Sequence, residues 1–373
     1  MTNVSTTDII KKNNENHGEH PISKPSEDKM EKNAYTIEIL TKLLAIPSPT
    51  GYTREAIEFL KKEAERMGYS CVISPKGNLR IRVEGQSSAK TIGFCAHTDT
   101  LGLMVRSIKG NGNLAFTLVG GPLMATLDGE YCTIHTRDNK IYSGNILSNS
   151  PAVHVFKDAS TSVRSDETME IRLDEVVSSK ADTVKLGINN GDFIAIETKT
   201  KITDSGFVKS RFLDDKASVS VLMGVLNELS TTQIKPLYDT EIIFTVYEET
   251  GHGNAWVDPK ISDMIAVDMG CVGLDLACTE RDVSICAKDS GGPYDYEMTS
   301  HLMALAKQNS IRAVTDIYPM YGSDVGAALR GGNNLRGALI GPGVSASHGI
   351  ERTHLDALQA TFDLVLAYMK QPA

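Results

Sequence analysis

Three short apolar runs constrain this chain more than any other feature: TIGFCA before His97, TEIIFTVY before Glu248–Glu249, and MIAV before Asp268. They are apolar at successive positions rather than alternating ones, which fits central strands buried on both faces under covering helices. Helical periods alternate with them: AYTIEILTKLLAI, ended by Pro47 and Pro49, then TREAIEFLKKEAERMGY, DKASVSVLMGVLNEL, PYDYEMTSHLMALAKQN and LDALQATFDLVLAYM. Further strands are expected at 70–74 and 79–83, near IRAVTDI and at LRGALIG. Strands alternating with helices in this way predict an α/β domain, a central sheet flanked by helices.

From about Ser107 the pattern changes. LAFTLVG, GEYCTIHTRDNKIYSGNI, TMEIRL and GDFIAIET are short strands separated by turns, with a hairpin turn expected at Asp138–Asn139. No long helical period follows until Asp215. The expectation is an all-β insertion over 107–205, a small barrel or sandwich, dividing the α/β domain into 34–106 and 206–373. Residues 1–33 are polar and rich in Asn, Lys and Glu, and read as a disordered tail.

The chain has 373 residues, 41% of them hydrophobic, and a formal net charge of −9. That length suits two domains or one with an insertion. The acidic balance argues against a nucleic-acid partner, which needs clustered Lys and Arg. No apolar run is long enough for a membrane span, and the N-terminus lacks the apolar core of a signal peptide. The 6 cysteines form no CxxC pair and read as free thiols in a reducing compartment, so the expected location is cytoplasmic.

The chemistry-bearing residues stand where apolar strands end, the place where open α/β sheets bind ligands. In His97-Thr98-Asp99, residues i and i+2 of extended chain point the same way, so Asp99 can approach and orient the imidazole. Asp214-Asp215 opens a helix and reads either as a cap pair or as metal-binding carboxylates. Glu248 and Glu249 beside an apolar run repel each other and lose hydration; a cation next to one of them relieves this and leaves the other to handle protons. Asp268 is costly to bury without a partner. His348, in ASHGIERTH, competes with His354. Two neutral His, three carboxylates and a bridging hydroxide nearly cancel two divalent cations, and mixed N and O donors suit zinc, cobalt or manganese better than magnesium or calcium.

The order HTD, LDDKA, EE, VD, H resembles the cocatalytic dizinc peptidases. GFCAHTDTLGLMV, NGNLAFTLVGG, IHTRDNKIYSG, SRFLDDKAS and TVYEETGHG together resemble metallopeptidase family forty-two, the tetrahedral or glutamyl-type aminopeptidases, from about Ala34 to the C-terminus. The resemblance implies a zinc-exopeptidase-like mixed sheet with a PDZ-like barrel inserted. It implies two divalent metal ions per subunit, a peptide substrate and assembly into homo-oligomers, often dodecamers. His97, Asp214, Glu249, Asp268 and His348 would be the metal ligands, with Asp214 bridging. Glu248 would be the general base, Asp99 would orient His97, and Asp215 would support the turn.

Two features depart from the family's pattern: His252-Gly253 follow Gly251 in place of Leu-Arg-Gly, and Gly349-Ile350 follow His348 in place of Ser-Pro. They leave the ligands intact and bear on substrate preference and assembly. The alternative function is a metal-dependent deacylase or dipeptidase acting on small acylated amino acids or osmolyte peptides; a glycosidase using two carboxylates would need no metal. His135, His154 and His301 read as structural or surface residues, Arg211 as a surface residue, and Asp324 as a helix cap.

Overall fold

A computed structural model describes residues 34–373; the tail expected at 1–33 lies outside them. The described chain opens with helices α1 (Ala34–Leu44) and α2 (Arg54–Arg66), then strands β1 (Ser70–Ile73), β2 (Leu79–Val83) and β3 (Ser87–His97). In α1 the buried residues Ile39, Leu40, Leu43 and Leu44 recur at helical spacing, so one stripe faces the core.

β4 (Gly102–Ile108), β5 (Leu114–Val119), β6 (Tyr131–His135), β7 (Ile141–Ser148), β8 (Met169–Leu173) and β9 (Phe193–Ile196) close into a barrel in the order β4-β5-β8-β7-β6-β9. Asn139 takes a left-handed φ of 62° in the β6–β7 hairpin, as expected of a tight turn at Asp138–Asn139. Two expectations need correcting. The first barrel strand starts at Gly102, ahead of Ser107, because GLMV is as apolar as the central strand before it and composition alone does not part the two. The insertion is also not all-β: α3 (Lys180–Leu186) lies within it, capped by the Ser179 hydroxyl and ended by Gly187 at φ 95°. A helix this short shows no clear period in sequence.

The chain continues through β10 (Lys201–Ile202), β11 (Phe207–Ser210), α4 (Leu213–Thr232), β12 (Tyr238–Thr245), β13 (Ile261–Val267), β14 (Gly270–Cys271), β15 (Val283–Asp289) and β16 (Gly292–Pro293). It closes with α5 (Tyr296–Gln308), β17 (Ala313–Ile317), α6 (Asp324–Arg330), β18 (Arg336–Val344), β19 (Glu351–His354) and α7 (Leu355–Lys370). The large sheet runs β1-β2-β12-β3-β13-β18-β15-β16, with β17 beside β15. It is mixed: β12, β3, β13 and β18 are parallel neighbours, whereas β2 and β15 join antiparallel. The run VSICA, not anticipated as a strand, is β15. Asp282 precedes it and Lys288 and Asp289 lie at its end, which shortens the apolar run. Parallel register sets Thr245 beside His97, so the runs TIGFCA, TEIIFTVY and MIAV end on one edge of the sheet.

α4 holds that edge in place. It gives Val219, Leu222 and Leu226 to the core under the sheet, with Phe94, Phe244 and Leu364. It gives Leu213, Ala217 and Val221 to a second core shared with the barrel residues Leu103, Phe116 and Ile194. α4 is buried nearly all round over its first four turns, and each buried Val or Leu side chain contributes about 1.5–3 kcal/mol. Gly224 lets α1 approach, since a Cβ there would fall 2.3 Å from Thr36 Oγ1. No helix among the described residues is long and apolar enough to cross a membrane, and all six cysteines are free thiols.

Candidate metal centre

His97 closes β3 and is 2% exposed. Its Nδ1 faces the backbone carbonyl of Asp99 at 2.9 Å, and its Nε2 stands 3.0 Å from Asp214 Oδ1. With the proton on Nδ1, the Nε2 lone pair points into the acidic cluster, as a metal ligand requires. The ring is thus oriented by Asp99's carbonyl rather than its carboxylate, which lies 3.7 Å away. The strand ends at His97, so the expected i, i+2 alignment of side chains is lost. The Asp99 carboxylate instead accepts from Thr50 Oγ1 at 2.6 Å and from the backbone N–H groups of Glu248 and Glu249 at 3.2 and 3.3 Å.

Asp214 and Asp215 stand at the buried start of α4 in non-helical backbone, and neither caps it. Asp214 divides its oxygens. Oδ1 faces His97, while Oδ2 accepts from Ser347 Oγ at 2.8 Å and lies 3.7 Å from His348 Nε2. Asp215 Oδ2 accepts the backbone N–H of His97 at 3.1 Å, and its Oδ1 is buried with no hydrogen-bond partner.

A turn of 3-10 helix after β12 carries both glutamates. Glu248 Oε2 is 3.9 Å from His97 Nε2, and Glu249 Oε2 is 3.8 Å from His348 Nε2. Glu249 Oε1 is buried without a partner. Asp268, buried just past β13, accepts the N–H of Met269 at 2.6 Å. Of the two competing histidines, His348 joins the cluster. His354 caps α7, its Nδ1 accepting from the Asp356 N–H at 3.0 Å and its Nε2 meeting the Ser205 carbonyl at 2.8 Å.

These groups crowd five carboxylates around two imidazoles in a largely buried space. Burial pushes Glu248, Glu249 and Asp215 well above the usual carboxylate range, with the neighbouring acids adding to it. Asp268 is pushed up to about 7 by burial and then by the charge of Asp214. Burial also opposes the charge on Asp214, but its hydrogen bond to His97 and the two imidazoles outweigh this and hold it below its ordinary value. Burial works against a charged His97, yet Asp214, Glu248 and Asp268 raise it well above the usual range. Such an excess of buried acid is what divalent cations relieve. Ligand atoms of His97, Asp215 and Asp268, and of His97, Asp214 and Glu249, lie within 4.8 Å of one another. Asp214, Glu248, Glu249, Asp268, Tyr321 and His348 line a cavity of about 290 Å³ beside them. A wider cleft of about 640 Å³, between Pro47, Tyr131, Arg172 and Lys216, carries none of these groups.

Sequence reasoning missed several residues that shape the site. Ser347 reaches Asp214, and the buried Glu351 accepts the backbone N–H groups of Asp214 at 3.0 Å and His348 at 3.2 Å. The only sequence signal for Glu351 was an acid three residues beyond a candidate ligand. Arg211, expected on the surface, is 2% exposed. Asp324 follows the N-cap Ser323 rather than capping α6 itself, and it accepts from the Thr245 hydroxyl and the Asn254 N–H behind the sheet edge. His135 is buried against Tyr52 with ring centroids 4.9 Å apart, His154 is exposed, and His301 packs edge-on against Tyr368.

The sequence profile of the M42 glutamyl aminopeptidase family matches residues 77–364. YhfE of Bacillus subtilis (strain 168), named provisionally as an aminopeptidase, is 43% identical over 338 residues, covering 90% of this chain and 98% of its own. The glutamyl aminopeptidase of Lactococcus lactis subsp. cremoris is 23% identical over 194 residues, 52% of this chain and 54% of its own. Among solved structures, the Pyrococcus horikoshii TET1 peptidase, described as assembling into a tetrahedron or a large octahedral shell, superposes with a TM-score of 0.79 at 23% identity, over 90% of this chain and 99% of its own. That likeness shows the fold, an α/β sheet carrying an inserted barrel. The profile match and the B. subtilis relative establish more: this chain belongs to the M42 family and is a peptide-bond hydrolase of the aminopeptidase kind.

Proposed function

We propose that the chain is a dimetal aminopeptidase, with one ion held by His97, Asp214 and Asp268 and the other by Asp214, Glu249 and His348. The observation that carries this reading is the Asp214 carboxylate, which turns one oxygen toward each imidazole as a bridging ligand does. The nitrogen and oxygen donors favour zinc, with cobalt or manganese as substitutes. When bound, two such ions polarise the scissile carbonyl and bring the pKa of a water toward neutrality. Glu248 stands beside the ligands, 3.9 Å from His97 Nε2. It takes the proton of the attacking water and returns it to the leaving amine. Asp99 steadies both His97, through its carbonyl, and the Glu248–Glu249 turn, through its carboxylate. Asp215 holds the His97 backbone and supports the turn. A substrate's free N-terminal amine would be held at the second ion, which would restrict cleavage to peptide N-termini.

A peptide substrate and self-association, with a dodecamer as the expected form, follow from the family and from the TET-type assemblies described for its solved relatives. We read the inserted barrel as PDZ-like and as the part that governs assembly and access. Ligand substitutions test the reading: Asp214→Asn should lower the affinity for both ions, and Asp268→Asn for one. Unchanged binding of two ions by both variants would contradict it.

A further inference from the structure

We propose that the barrel is part of the metal centre: its segment 120–126, locked by Arg211, positions His348, so that the ion assigned to Asp214, Glu249 and His348 is bound jointly by two domains. The proposal rests on the dimetal reading above and adds to it a role for residues that bear no ligand atom.

The segment leaves β5 and passes directly over the site. Gly120 has a φ of 71°, which strains any residue with a Cβ, and a Cβ there would fall 2.5 Å from Leu101 Cδ2 and in contact with Glu249 Cβ at 3.5 Å. The next carbonyl, of Gly121, lies 2.8 Å from His348 Nδ1. That contact takes the Nδ1 proton and leaves Nε2 turned to Asp214 and Glu249. Leu123 then donates its backbone N–H to the His348 carbonyl at 2.9 Å. One residue beyond His348, Arg211 completes the clamp. Its Nη1 donates to the Gly349 carbonyl and to Thr126 Oγ1, both at 3.2 Å, and its Nη2 to the Thr126 carbonyl at 2.6 Å. Arg211 itself lies between β11 and the start of α4 that bears Asp214, so one buried guanidinium joins the approach to the proposed bridging carboxylate, the barrel segment and the last ligand's loop.

The loop needs such a hold. Ala346 and His348 both sit in left-handed backbone, at φ 58° and 64°. For residues with a Cβ this costs roughly 1–2 kcal/mol each. His348 is also the most exposed of the proposed ligands, at 41% of its side chain, so core packing does not fix it. Glu351 anchors the loop's backbone from the catalytic side, and the barrel segment anchors the ring and carbonyl from the other.

Zinc titration of the metal-free full-length protein, in competition with a chromophoric chelator, tests this alongside elemental analysis of bound ions. Arg211→Met should weaken one of two ions by about 10–100-fold, the range for outer partners of metal ligands, and leave the other unchanged. Leu123→Pro is the second variant. Leu123 is 54% exposed and has a φ of −70°, proline's own value, so the backbone accepts the ring, while its Cδ takes the place of the N–H and drives the His348 carbonyl out of this contact. It should weaken the same ion by a smaller factor. Two ions held at wild-type affinity by Leu123→Pro and by folded Arg211→Met would overturn the proposal, as would equal weakening of both ions. If Arg211→Met does not fold, Leu123→Pro decides alone. A wild-type protein that binds fewer than two ions would instead refute the dimetal reading.

Discussion

Asp99 accepts the backbone N–H of Glu248 at 3.2 Å, so the proposed proton carrier hangs from the same strand end that presents His97. A second hydrogen bond, to the Glu249 N–H, ties the whole glutamate turn to that carboxylate. Asn at this position offers one acceptor oxygen where two are in use. An unsatisfied buried N–H costs about 1–3 kcal/mol. Asp99→Asn should therefore lower kcat by roughly 10–100-fold while the bound metal stays constant, as steady-state kinetics with elemental analysis will read.

Glu248→Gln keeps the shape of the turn and removes the proton acceptor. Two ions should remain and kcat should fall by about 10²–10⁴-fold. Near-normal turnover in that variant would remove Glu248 from the mechanism.

Metal ions that bind only the folded chain stabilise it by mass action. At a free concentration of 100 times Kd, each site contributes about 2.7 kcal/mol. Chelation should lower Tm and abolish activity together, and zinc, cobalt or manganese should restore both. A Tm indifferent to chelator and added ions would argue against metal held by these residues.

Acid stability should report on a separate pair of contacts. Asp263 receives two hydrogen bonds from Arg336, at 2.8 and 3.0 Å, and one from Lys90 at 3.1 Å. Burial alone would raise its pKa, but these cations outweigh it and hold the carboxyl below its ordinary value. A depressed folded pKa means stability that is full above the unfolded value, about 3.9, and lost as pH falls through the folded value. Asp263→Asn should flatten the loss of stability below about pH 4, measured by denaturant titration across a pH series.

Much of the sheet was legible because strands buried on both faces leave uninterrupted apolar runs, as at TIGFCA and TEIIFTVY. β15 escaped because charged neighbours frame it, and α3 because seven residues give no period. The residues expected at the site do converge, since each stood at a strand end or helix start and parallel register brings those ends to one edge. The supports around them were not legible. Gly121 and His348 meet only through tertiary folding, and no local pattern pairs them. Arg211 read as surface because arginine usually is. Its burial depends on carbonyls at Thr126 and Gly349 whose placement the sequence does not reveal.

Metal analysis joined to a panel of aminoacyl amides, with and without chelator, tests the central claim most directly. Two divalent ions per chain are expected, with release of a free N-terminal amino acid that stops on chelation and returns with zinc. N-acetylated substrates should resist. Undiminished hydrolysis by metal-free protein, or preference for the acylated substrates, would contradict it.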